Sequence, residues 1–97
     1  MKPPQLAEIL AGLQGDPDFD LLLRRTQQMS RFLENIARPM QRPEKGPPGK
    51  PIYAYGALQA STAEDALGQA AVLSSALDNR DLENAKAAAQ EIFSLYS

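Results

Sequence analysis

Asp16, Asp18 and Asp20 stand at alternate positions and are the first residues to invite a chemical reading. They match the opening of an EF-hand loop, in which alternating carboxylates converge on one calcium ion. That loop also needs a glycine at its sixth position for a sharp turn and a glutamate at its twelfth for bidentate ligation. Leu21 and Gln27 stand there instead. The acids are better explained by a helix N-terminus, where negative charge is favoured. Gly49-Lys50 raises phosphate binding, but a P-loop needs a glycine five residues before Gly49 and a serine or threonine after the lysine. Glu44 and Pro51 occupy those places. Nucleophilic catalysis lacks a base, because the chain has no histidine, no cysteine and no Ser-x-x-Lys spacing. The residues therefore predict no enzyme, no metal site and no cofactor.

Binding offers more. Arg24, Arg31 and Arg38 recur every seven residues and form one stripe of a helix. With Arg25, Arg42, Lys45 and Lys50 they make a basic track suited to nucleic-acid phosphates. No aromatic residues interleave to stack bases, so a solvated face is the competing reading. Pro48-Gly49-Lys50-Pro51 has the PxxP form that SH3-type domains read, as many proline-rich segments do. Tyr53 and Tyr55 would share a side if their segment is extended, serving as a partner anchor or as a cover for a hairpin end.

These residues depend on helices to position them. Phe19, Leu22, Thr26, Met29, Leu33, Ile36 and Met40 alternate by three and four, an unbroken heptad seam. Leu23 and Phe32 flank it and widen the apolar face, as in a bundle helix. Asp16 as cap and Pro17 as first residue predict the start of this helix, and Pro39 predicts its end near Arg38. An earlier helix is expected from Pro4 to Leu13, its face made of Leu6, Ile9, Leu10 and Leu13 and its end set by Gly15. Pro39 to Pro51, with five prolines and two glycines, reads as an extended linker. The capping-box pair Ser61 and Glu64 predicts a third helix running to about Leu77. Asp78 or Asn79 would cap a fourth, with Leu82, Ala85, Ala89, Ile92 and Tyr96 inward. Alanine-rich faces permit close helix packing.

The predicted fold is all-α. Two helical hairpins, residues 1–38 and 61–97, flank a proline-rich, tyrosine-containing segment at 39–60 within one small domain, with an oligomeric bundle as the other way to cover the seam. The 97 residues are 43% hydrophobic and 23% charged, ordinary for a globular chain. The formal charge of −2 hides an asymmetry: residues 17–42 carry +2 and residues 61–97 carry −4. Opposite signs suit intramolecular docking or self-association. Absent cysteines and the lack of any long apolar run lead to the expectation of a cytoplasmic protein that does not span a membrane. Val72, Leu73, Asp81, Leu82, Ala85 and Ala89 resemble the inner turn of a tetratricopeptide-type hairpin, with Arg80 in place of its turn glycine and no second copy. That resemblance implies a protein-binding helical hairpin.

The leading expectation is a non-catalytic adaptor, assembly or chaperone-like protein that works through Phe19, Leu22, Met29, Phe32, Leu33 and Ile36, together with Ile52, Tyr53 and Tyr55. Its partner would be another protein or a second copy. The alternatives are nucleic-acid binding through Arg24, Arg31 and Arg38, and a small subunit of a larger enzyme complex.

Overall fold

A computed structural model describes residues 1–40 and 52–97. The PxxP segment and the basic residues Arg42, Lys45 and Lys50 lie outside the described residues, as does the Met40 side chain. Among the described residues the fold is all-α, with four helices: α1 (Gln5–Gly12), α2 (Phe19–Ala37), α3 (Ala57–Asp78) and α4 (Leu82–Leu95). Two short strands, β1 (Pro39–Met40) and β2 (Ile52–Tyr53), pair antiparallel between α2 and α3, with Pro39 opposite Tyr53 and Met40 opposite Ile52.

α3 packs most extensively, against α2 on one side and α4 on the other. α1 makes smaller contacts with α2 and α4. Neighbouring helices run antiparallel. Arg80, just beyond α3, reaches Asp20 in the first turn of α2, and Glu8 of α1 pairs with Arg25 of α2. The Lys2 ammonium lies 4.8 Å from the centre of the Phe93 ring, bringing the start of the chain to the end of α4.

The core explains the arrangement. α2 contributes Leu22, Met29, Leu33 and Ile36, α1 contributes Leu6 and Ile9, and Leu13 closes the same cluster. α3 and α4 answer mostly with alanine: Ala63, Ala66, Ala70, Ala85 and Ala89 are fully buried beside Leu73, Leu77 and Ile92. Small side chains on one helix and large ones on its neighbour let layers interdigitate at close spacing. α1 and α2 approach closely at Gly12, where an added Cβ would come within 2.6 Å of Leu22 Cδ2.

Three helix starts differ from the sequence expectation. α2 is capped by Asp18, not Asp16: Asp18 is extended (φ −87°, ψ 96°) and its carboxylate accepts from the Leu21 N–H at 3.1 Å. α3 begins at Ala57, four residues before Ser61, so Ser61 and Glu64 lie inside the helix. Gly56 makes that start possible: its φ of +89° turns the chain out of the ribbon in a region that side-chain-bearing residues avoid. α4 is capped by Asp81 rather than Asp78 or Asn79. Its carboxylate accepts from the Asn84 N–H at 3.2 Å and from the Asn84 side chain at 2.6 Å.

Candidate functional site

α2 turns most of the predicted partner-binding seam inward. Leu22, Met29, Leu33 and Ile36 are core residues, and Phe19 and Phe32 are half-buried against them. Thr26, the polar member of the seam, is fully buried, and its hydroxyl donates to the Leu22 carbonyl at 2.8 Å, within its own helix. Within the folded chain, α3 provides the surface this stripe needs.

The ribbon and the start of α3 expose several apolar side chains. Ile52 is 54% exposed, Tyr55 49% and Leu58 80%. Tyr53 is half-buried. The strand ends at Tyr53, and Tyr55 lies in the turn that follows, so the two tyrosines do not alternate along one strand as an extended segment would require. Leu58 carries no inward contact because the inward positions of α3 are taken by Ala60, Ala63 and Ala66.

Arg24 and Arg31 on α2 and Arg38 at its C-cap are exposed to solvent. Arg38 is 3.5 Å from Glu34, one turn earlier. Two other arginines are engaged more closely: Arg25 Nε lies 2.8 Å from Glu8, and Arg80 lies 3.0 Å from Asp20. All three pairs are substantially exposed, so each adds only about 0–1 kcal/mol to stability.

The aspartates of the EF-hand comparison are dispersed among separate tasks. Asp18 caps α2 and Asp20 meets Arg80, while Asp16 remains exposed before the helix. Among the described residues, no group of three or more histidine, cysteine, aspartate or glutamate side chains is placed to hold a metal ion. Two buried polar atoms have no hydrogen-bond partner among the described residues: Gln5 Oε1 and the Tyr96 hydroxyl. Burial raises the Tyr96 pKa above its ordinary value of 10.0, because the phenolate would be poorly solvated there.

Two features escaped sequence reasoning. Arg80 occupies the left-handed region (φ +57°), its guanidinium donates to the Leu77 carbonyl at 3.0 Å, and it lies 5.2 Å from the centre of the Phe19 ring. It thus adopts the conformation that suits a glycine at this turn. The second feature is Val72, 51% exposed on the outside of α3. The signal for it was present: the apolar residues of α3 surround the helix instead of keeping to one stripe. No helix among the described residues is long and apolar enough to cross a membrane. The chain matches no protein-family model, no characterised protein and no solved structure.

Proposed function

We propose that this protein is a small helical interaction module that binds another polypeptide through side chains its own core leaves uncovered. One observation carries the reading. Ile52, Tyr55 and Leu58 expose apolar surface within seven residues. Clustered exposed apolar groups are a common mark of interaction sites, and tyrosine gives much contact area for little conformational entropy. Adaptor, assembly factor and subunit of a larger complex are all forms of this reading.

The test is site-specific photo-crosslinking in cells with the probe at position 55. A discrete adduct with another polypeptide is expected, and Leu58→Asp should abolish it. An adduct unchanged by Leu58→Asp, or none at all, rejects this surface.

A second reading, nucleic-acid binding, draws support from the exposure of Arg24, Arg31 and Arg38 along α2. It predicts binding that falls steeply with salt and disappears when all three become glutamine. Binding that survives the triple substitution would eliminate it.

A further inference from the structure

We propose that α1 exchanges between copies of this chain, so that the seat it occupies on α2 and α4 also receives the α1 of a second copy. This seat is separate from the Ile52–Tyr55–Leu58 corner, and neither depends on the other. A helix as short as α1, with eight residues, does not persist alone in water, so α1 exists because it docks. The side chains it docks are apolar and fully covered: Leu6, Ile9 and Leu13 are at most 1% exposed. They meet α2 and α4, which are themselves held together by their larger contacts with α3. A released α1 therefore leaves behind an apolar groove that the other three helices keep in shape.

The groove specifies its occupant. It takes three large apolar side chains spaced three and four apart, as Leu6, Ile9 and Leu13 are. It presents Arg25, which lies 2.8 Å from Glu8 of α1 and calls for an acid on the incoming helix. It requires a glycine at the crossing, because a Cβ on Gly12 would come within 2.6 Å of Leu22 Cδ2. A second copy meets all of these conditions at once.

Little ties α1 to its own chain. Gln14, Gly15 and Asp16 in the connection to α2 are exposed, and open space surrounds Gly15, which is left-handed at φ +75°. Among the described residues, no backbone hydrogen bond joins positions 15–17 to any other part of the chain. Pro17 already holds Asp16 out of the helical region and towards an extended backbone. Straightened, the segment from Leu13 to Asp18 spans up to about 20 Å, more than the roughly 8–10 Å between packed helix axes. Gln5 Oε1, on the first residue of α1, is buried without a hydrogen-bond partner, and release of the helix returns it to water. An exchanged α1 keeps the contacts of a retained one. Only the connection and the chain entropy differ, so concentration decides between the two forms.

The chain contains no cysteine, so Glu8→Cys combined with Arg25→Cys supplies a single pair of thiols across the α1–α2 contact. The full-length variant is unfolded in urea, refolded either dilute or concentrated, treated with a short bismaleimide and run on a denaturing gel. Light scattering gives the mass before crosslinking. Dilute chains should crosslink within themselves. Concentrated chains should give a covalent dimer, its fraction rising at least about tenfold. Deleting Gln14 and Gly15 keeps α1 from reaching its own seat and should give the covalent dimer even when dilute. A chain that stays monomeric after concentrated refolding overturns the proposal, whether or not the shortened variant folds. Equal amounts of covalent dimer from either single-cysteine variant would mark chance contact and also overturn it. So would a dimer whose crosslinks remain inside each chain; if Leu58→Asp dissolves that dimer, it belongs to the Tyr55 corner instead.

Discussion

The Arg80 guanidinium lies 3.0 Å from the Asp20 carboxylate, sixty residues away in sequence, and so ties the α3–α4 turn to the first turn of α2. The same guanidinium covers Phe19 and donates to the Leu77 carbonyl, while its own backbone is left-handed at φ +57°. Favourable side-chain contacts here offset a backbone cost of about 1 kcal/mol. Arg80→Ala removes the contacts and keeps the cost, so it should destabilise by about 1 kcal/mol. Arg80→Gly removes both and should stay within about 0.5 kcal/mol of the parent. Urea unfolding of the two variants decides the matter: equal losses would mean that the backbone conformation carries no penalty.

Helix capping gives a prediction in which neighbouring aspartates behave differently. Asp18→Ala and Asp81→Ala each leave a helix N-terminus without its side-chain acceptor and should cost about 1 kcal/mol. Asp16→Ala, two residues from Asp18, should change stability by less than about 0.5 kcal/mol. Thermal melts of the three variants are sufficient. A larger loss from Asp16→Ala than from Asp18→Ala would show that α2 starts earlier than described.

Glycine and alanine positions on α3 should respond in opposite ways to added volume. Gly68 is an exposed position in a helix interior with open space around it. Gly68→Ala should stabilise by about 0.5–1 kcal/mol, because the unfolded chain loses freedom that the helix does not need. Ala70 is fully buried between helices. Ala70→Leu should destabilise by about 3 kcal/mol or prevent folding, since its neighbours have no slack to give. The shift of the urea midpoint at constant slope is the readout for both.

Tyr96 connects stability to alkaline pH. Its hydroxyl is buried with no partner among the described residues, and burial raises its pKa above 10.0. The folded state therefore holds this proton more tightly than the unfolded state does. The resulting contribution is complete below about pH 10 and is lost as pH rises through the folded pKa. Tyr96→Phe removes the stranded hydroxyl and should stabilise the neutral protein by up to about 1 kcal/mol. Relative to the parent, this variant should lose less stability between about pH 9 and pH 11. Identical pH dependence in the two proteins would place the hydroxyl in water.

The spacing of α2 was legible because periodicity directly reports which side chains share a face. Leu22, Thr26, Met29, Leu33 and Ile36 line up and are buried. Spacing alone could not say what covers them, since an apolar stripe serves a core and an interface equally well. The start of α3 was illegible for a different reason. Ser61 and Glu64 have capping-box spacing, but the turn at Gly56 admits Ala57 through Ala60 into the helix first. Arg80 was legible only in part: the tetratricopeptide-type pattern has a turn glycine at its position, but nothing in an arginine marks a left-handed backbone.

The central position of α3 has a consequence for the order in which the molecule opens. α2 and α4 flank it with the two most extensive helix contacts, so it unwinds only when both neighbours release it. The amides of Ala66 through Leu73 should accordingly exchange with deuterium only through global unfolding. α1 is held differently: it has eight residues, no side-chain cap and smaller contacts. It can lift away at a fraction of that free energy, so a protease would cut first in the α1–α2 connection and leave a three-helix remnant intact.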